Sequence, residues 1–285
     1  MTVSGYKGLF AACVVVCIGA LLLSPRLAHA EPVWELGAGV AALSLPDYRG
    51  SKQSHSYLLP FPYAVYRGER MSLDRQGLRA RLFDLDRLHI EGSFIGNFAL
   101  RSSDNTLRTG MSPLYPLLEA GPELVYTLIA AQRSSDLKLD LRLATRAAFA
   151  VGGGRLSSEG LVASPYFRLS MLDPFGAGFR VTATAGLLFA DSRYNDYLYS
   201  VAPEFATASR PAYRAAGGYS GTIALLAAGR NYGRLWIGGY LRVDSLRGAS
   251  FTSSPLVETR SYTALGIAMA WVFAQSAEQA LRTDE

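Results

Sequence analysis

Apolar and polar residues alternate over long stretches of this chain. Leu137, Leu139, Leu141, Leu143, Ala147 and Phe149 fall on one face, and Lys138, Asp140, Arg142, Ala144, Arg146 and Ala148 on the other. A period of two belongs to a β-strand, whose successive side chains point to opposite faces, and no α-helix produces it. The same period recurs where Leu88, Ile90, Gly92, Phe94, Gly96, Phe98 and Leu100 oppose His89, Glu91, Ser93, Ile95, Asn97 and Ala99. It recurs again where Phe179, Val181, Ala183, Ala185, Leu187 and Phe189 oppose Arg180, Thr182, Thr184 and Gly186. Leu235, Ile237, Gly239, Leu241 and Val243 likewise oppose Trp236, Gly238, Tyr240, Arg242 and Asp244. A last segment sets Leu265, Ile267, Met269, Trp271 and Phe273 against Ala264, Gly266, Ala268, Ala270 and Val272, and aromatics close it. Strands of a soluble sandwich usually run about five or six residues. These run to about ten or more, the length a tilted strand needs to cross a bilayer.

The connections alternate in length, as in an outer-membrane barrel with short turns on one side and longer loops on the other. Ser44–Ser56, Arg101–Leu117, Gly152–Gly160, Asp191–Ala216 and Arg247–Val257 read as long; Gly68-Glu69, Asp84–Arg87, Arg133–Asp136, Asp173–Gly176 and Gly229–Gly233 read as short. The stretch from Arg70 to Phe83 breaks the rhythm unless it divides at Arg75-Gln76-Gly77 into two short strands. The expected fold is an all-β, transmembrane, antiparallel up-and-down barrel of twelve strands, with ten as the alternative.

Composition narrows this further. The first thirty residues read as a secretory signal: Lys7, an apolar run from Gly8 to Leu23, and Ala28-His29-Ala30 as the cleavage site. The barrel is then expected over 31–273, with a polar tail over 274–285 that could make a short amphipathic contact. Lys7 and Arg26 leave with the signal, so 26 of the 28 basic residues remain against all 23 acidic ones. So small an excess gives no basic footprint for nucleic acid. Both cysteines, Cys13 and Cys17, lie in the signal, which excludes a disulfide, a thiolate metal site and a cysteine nucleophile from the mature chain. The longest nearly unbroken apolar run after the signal is Ala264 to Ala274, far short of the ~20 residues of a spanning helix. Mean hydropathy is +0.14 and hydrophobic residues make up 49% of the chain, so a closed barrel is the remaining way to satisfy its backbone in lipid.

The candidate chemistry lies on the inward rows. His89-x-Glu91-x-Ser93 stacks three catalytic residue types on one face, but at steps of about 6.6 Å along a strand they would need neighbouring strands to form a triad. Ordinary polar lumen residues are the favoured reading. His55 reads as a solitary loop histidine without carboxylates in register for a metal. Lys138, Arg142 and Arg146 form a basic column, joined by Arg168, Arg180 and Arg242. Such a column either draws anions into a pore or is tied up in salt bridges with Asp140, Glu91 and Asp244. A narrow barrel is filled by its own side chains, which favours the second. Arg suits the bidentate phosphate contacts of lipopolysaccharide, and the mature chain keeps only Lys52 and Lys138 as lysines. Gly152-Gly153-Gly154 lacks a following Lys and Ser/Thr and reads as a flexible loop, not a phosphate cradle. Tyr194, Tyr197 and Tyr199 are compatible with an outer contact patch or an aromatic girdle. If Leu141 faces lipid, Leu141→Arg should be costly and Ala144→Arg, on the lumen face, milder.

Pro46-Asp47-Tyr48-Arg49-Gly50-Ser51, then Leu59-Pro60-Phe61-Pro62-Tyr63 with Tyr66-Arg67, and Ser72-Leu73-Asp74-Arg75-Gln76-Gly77-Leu78 resemble the MipA/OmpV family of outer-membrane proteins. Asp191, Tyr194, Tyr199 and Val201 ahead of Gly217-Gly218 extend the likeness, with Ser200 where the family usually has glycine. Pro60 and Pro62 remove two ladder donors from one edge of a strand, so they mark a bulge or a local opening. The resemblance implies a scaffold in the outer membrane, partnered with a murein lytic transglycosylase and, through it, with a penicillin-binding synthase. It implies no enzyme, so no catalytic residue is carried over, and no cofactor. A periplasmic partner would meet the short-turn rim and the tail.

Overall fold

The computed structural model describes residues 32–68, 71–74, 77–96, 104–131 and 137–278. Strands β1 (Trp34–Pro46), β2 (Ser54–Arg67), β3 (Met71–Asp74), β4 (Gly77–Leu85), β5 (Leu88–Gly96) and β6 (Leu117–Ile129) lead into β7 (Leu137–Gly152), β8 (Arg155–Leu172), β9 (Arg180–Ala190), β10 (Gly218–Tyr232), β11 (Leu235–Ser245) and β12 (Ser261–Gln275). Each strand pairs antiparallel with its sequence neighbour, and β1 pairs with β12, so the twelve close into an up-and-down barrel. One short helix, α1 (Ser192–Tyr199), lies in the β9–β10 connection. The signal segment 1–30 lies outside the described residues, as do 279–285 of the tail and the turn residues 69, 75, 76 and 132–136.

The alternation of the sequence becomes the wall of the barrel. On β7, Leu141 and Leu143 are exposed on the outside while Asp140, Arg142, Ala144, Arg146 and Ala148 are buried in the lumen. On β12, Leu265, Ile267, Met269, Trp271 and Phe273 face outward and Ala264, Ala270 and Val272 inward. On β5 the alternation holds through Ser93 and then fades, with Phe94 and Ile95 both exposed.

Two features differ from expectation, and a third falls on one of its two expected alternatives. Gly152–Gly160 is not a long loop: β7 and β8 are joined by Gly153 and Gly154 alone, at φ +58° and +72°. Both central residues of this tight hairpin turn take positive φ, which glycine supplies without strain. The polar residues that follow, Arg155 to Ser158, read as loop because the strand there is exposed on both faces. The final strand continues to Gln275, where Ser276 donates its amide to Trp34 O (3.0 Å) and Val33 to Glu278 O (3.1 Å). And Pro60 and Pro62 mark an opening, not a bulge. β1 and β2 stay in register from Trp34↔Tyr66 to Pro46↔Ser54 without a shift, whereas on its other edge β2 pairs with β3 only at Tyr66 and Arg67 among the described residues. A ladder that passes two prolines unbroken uses the amides of the residues between them, so the missing donors point to the unpaired edge.

The two ends of the barrel differ. One carries the connections 47–53, 104–116, 191–217 and 246–260; the other carries short turns and both described chain ends.

Candidate functional site

Arg142 sits at the centre of the inward faces of β5 to β8. Its Nη1 donates to Glu123 Oε1 (2.8 Å) and Glu91 Oε2 (3.2 Å), and its Nη2 to Asp140 Oδ2 (3.3 Å). Thr127 donates to Asp140 Oδ1 (2.9 Å), and the half-exposed Lys138 lies 3.7 Å from the same oxygen. His89 Nε2 stands 3.2 Å from Glu91 Oε1. Tyr166 donates to Glu123 in a very short contact, and Arg168 Nη2 reaches the Tyr166 hydroxyl (3.4 Å). One turn of lumen higher, Arg146 Nε donates to Glu119 Oε2 (3.1 Å) and Nη1 to Ser93 Oγ (3.5 Å). Charges buried this deeply persist only when each is paired.

The expected column is therefore divided. Lys138, Arg142 and Arg168 share one network, and Arg146 stands beside it in its own pair with Glu119. Arg242 lies across the lumen on β11, where its Nε donates to Asp244 Oδ1 (2.7 Å) and Arg49 Nε to Asp244 Oδ2 (2.9 Å), with Tyr262 donating to the same carboxylate (2.5 Å). Arg180, the first residue of β9, lines a separate cavity with Trp236 and Tyr240. The residues that hold the column, Glu119, Glu123 and Tyr166, escaped the sequence reading. Their signal was the inward row Leu117, Glu119, Gly121, Glu123, Val125 and Thr127, an alternation with acids four apart.

His89, Glu91 and Ser93 do not assemble a triad, since Ser93 is bonded to Arg146 and His89 to Glu91. His55 is not solitary: its Nδ1 stands 2.5 Å from Asp47 Oδ1. One carboxylate makes no metal site, and no group of three metal-binding side chains occurs among the described residues. Ala144 has no exposure, between Arg142 and Arg146 on the same face, so Ala144→Arg would force a third guanidinium into a filled lumen and is not the mild change its face suggested.

Above the network the long connections fold inward as a cap. Asp191 caps α1, its Oδ1 accepting from Tyr194 N (2.9 Å) and its Oδ2 from Leu161 N (3.0 Å). The helix thereby points Tyr194, Asn195, Leu198 and Tyr199 into the barrel mouth, all buried. Tyr194 donates to Glu119 Oε1 (2.9 Å), which joins the cap to the Arg146 pair below. Tyr199 stacks on Phe251, with ring centroids 3.7 Å apart at 7°, and Tyr48 meets Tyr199 edge-on. Leu114, Leu246, Phe251 and Leu256 complete this core against Ala148, Ala150, Val162, Leu188 and Ala190 of the wall. The tyrosines are thus neither an outer patch nor a girdle; Tyr197, half-buried, bonds Tyr115. Burial pushes the Tyr199 hydroxyl up to about 12, the Arg49 charge opposing, and raises those of Tyr48 and Tyr194.

The segment Pro46 to Ser51 clamps the cap. Pro46 ends β1, Asp47 Oδ2 accepts from Asn105 Nδ2 (2.8 Å), and Ser51 Oγ accepts from the same amide (3.2 Å). Tyr48 donates to Leu256 O (2.7 Å), and Gly50, at φ +101°, offers its carbonyl to the amides of Glu258 and Thr259. From the 104–116 connection the buried Arg108 donates to Leu198 O (3.1 Å). At the other end Tyr63 donates to Glu35 Oε2 (3.0 Å) and Arg67 Nη2 to Glu35 Oε1 (2.8 Å). Asp74 and Gly77 pair as the ends of the β3–β4 hairpin.

The family model described as MltA-interacting protein MipA matches residues 38–273. No curated protein sequence matches the chain. Among solved structures, the NanC porin is similar at 12% identity, over 83% of this chain and 98% of that one, with a TM-score of 0.40. OmpT, an outer membrane protein of Vibrio cholerae, is similar at 6% identity, over 84% and 96%, at 0.35. The CymD monoaromatic hydrocarbon channel is similar at 12% identity, over 87% and 90%, also at 0.35.

Proposed function

Because this chain belongs to the MltA-interacting protein MipA family, we propose that it is an outer-membrane barrel that works as a docking scaffold, neither an open pore nor an enzyme. The supporting observation is the filled loop end. The cap packs an apolar core across the mouth, and Tyr194 ties that core to the paired charges beneath it. Outward rows of leucines and aromatics supply the contact with membrane lipid, and exposed loop arginines suit the phosphates of lipopolysaccharide. The partner is a murein lytic transglycosylase, and through it a penicillin-binding synthase, held at the turn end. That rim offers the turns 86–87, 173–179 and 233–234 beside Val33 and Glu278, where both described chain ends leave the barrel. Residues 1–30 direct export, and the polar tail that follows Glu278 is the segment offered to the partner. A rim of this size gives a transient contact unless the tail orders on binding, since stable interfaces bury about 1,200 Å² or more.

Crosslinked envelopes test this. Capture of a lytic transglycosylase should weaken when the chain is cut after Glu278, a truncation that leaves the bonds of Ser276 and Glu278 to β1 in place. The assignment fails if capture survives that cut and survives charge reversal at the rim turns, yet is lost when residues 203–213 of the cap are shortened.

A further inference from the structure

Behind the cap a second group of charges gathers. Arg49 Nε donates to Asp244 Oδ2 (2.9 Å), and Arg242 donates to the same carboxylate from Nε (2.7 Å) and Nη2 (2.8 Å). Tyr262 adds a further donor, and Asp244 has no exposure. Two guanidiniums on one carboxylate leave a positive charge over. Other acids of the barrel mouth are bound elsewhere: Glu119 to Arg146 and Tyr194, Asp47 to Asn105 and His55, and Glu258 to the amide of Lys52. A charge under such a cover is stable only with a counter-charge.

Two donors of the same group lack an acceptor. Arg49 Nη2 and the Tyr199 hydroxyl are both buried, and neither has a hydrogen-bond partner among the described residues. Arg49 is the foremost charge acting on the Tyr199 hydroxyl, followed by Asp244, so the two donors belong to one site. On the β10 side the residue facing Nη2 is Gly221, at φ +109°, where a Cβ would stand 3.1 Å from Nη2, 3.2 Å from Leu246 Cδ2 and 2.4 Å from Ser245 O. Glycine therefore leaves Nη2 uncovered by any side chain of β10, in a space closed by Leu246 and by Phe251 stacked on Tyr199. So narrow a space suits a single-atom ion and not a phosphate. A water would meet both donors and leave the charge over; an anion meets both and balances it.

We propose that Arg49 Nη2 and the Tyr199 hydroxyl hold a small monovalent anion, chloride, which balances the Arg49–Asp244–Arg242 group and seats the cap. No path through the folded cap is required, because the ion is taken up as the 246–260 connection closes over Arg49. The site is independent of partner docking, and its test reads neither capture nor conduction.

The full barrel, refolded from urea into detergent in sodium gluconate, is the starting material. Adding chloride at constant ionic strength should raise the urea midpoint of the cap's near-ultraviolet circular dichroism along a saturating curve, as for any ligand of the folded state. Bromide should act as chloride does, and sulfate should not. Tyr199→Phe keeps the stacked ring and should raise the half-saturating chloride concentration about tenfold, one charge-assisted hydrogen bond being lost. Arg49→Gln, which leaves Asp244 paired with Arg242, should abolish the dependence. Crystals grown in bromide should show an anomalous peak between Arg49 Nη2 and Tyr199 Oη. A cap equally stable in gluconate and chloride overturns the proposal, as does a chloride dependence that Tyr199→Phe leaves unchanged. A bromide-grown crystal with water alone at the two donors does the same.

Discussion

Arg142 is bonded to Glu91, Glu123 and Asp140, each of them buried. Removing it leaves three acids without their shared counter-charge in a space that water does not freely enter. Arg142→Ala is therefore expected to destabilise the barrel by about 3–5 kcal/mol, the cost of breaking a buried pair. Lys138→Ala, which removes a half-exposed ammonium 3.7 Å from Asp140, should cost below about 1 kcal/mol. Guanidinium unfolding in detergent separates the two, and equal costs would mean that the network is hydrated and screened. The triple change Arg142→Met/Glu123→Gln/Asp140→Asn should recover part of the loss, because the desolvated charges leave together. The sequence already placed Arg142, Asp140 and Glu91 on inward faces, because face assignment needs only the period of two. It did not show that Glu123 and Glu119 are the partners, or that Arg242 belongs elsewhere. Lateral neighbours depend on the register between strands, here Arg142 opposite Val125 on one side and Tyr166 on the other, and register leaves no mark within a single strand.

At the scale of elements, the strands were legible and the cap was not. Alternation repeats inside each strand, whereas the cap is assembled from four connections without any period. Tyr48, Arg108, Tyr199 and Phe251 come together only after the barrel brings those loops to one mouth. The polar start of β8 shows the converse error, since strand that projects beyond lipid loses its apolar face and reads as loop. The cap has its own pH dependence. An ordinary tyrosine titrates near 10, and Tyr199 near 12 in the folded protein because burial disfavours the phenolate. With a folded-state pKa above the unfolded one, its contribution is fully present below about pH 10 and is lost as pH rises toward 12, since the unfolded chain releases its proton first. Tyr48 and Tyr194 shift in the same direction. Near-ultraviolet circular dichroism should therefore show the cap loosening between about pH 10 and 12 while the far-ultraviolet strand signal persists. The Tyr199 hydroxyl is buried without a hydrogen-bond partner, so Tyr199→Phe should keep the cap at neutral pH and move the loosening upward. A cap that loosens at the same pH in Tyr199→Phe would assign the transition to other groups.

For the molecule as a whole, the decisive question is whether the lumen runs through. The loop end is held shut by contacts that converge on the 246–260 connection. Phe251 stacks under Tyr199, Ser254 donates to Tyr199 O (2.6 Å), Leu256 O accepts from Tyr48, and the amides of Glu258 and Thr259 bond Gly50 O. Neither β11 nor β12 uses these residues in its ladder; their pairing ends at Ser245↔Ser261. Replacing 248–258 with a short Gly-Asn turn should leave the barrel closed and heat-modifiable on gels while removing the floor beneath α1. In planar bilayers the parent protein is expected to give no stable steps, and the shortened variant small ones, limited by the Arg142 network that still occupies the β5–β8 side. Stable anion-selective steps from the parent, abolished by Arg142→Ala, would instead make the protein a channel and sink the scaffold reading. A variant that folds yet stays silent would place the seal at the charged network and not at the cap, and the Arg142 triple change combined with the shortened loop should then be the first to conduct.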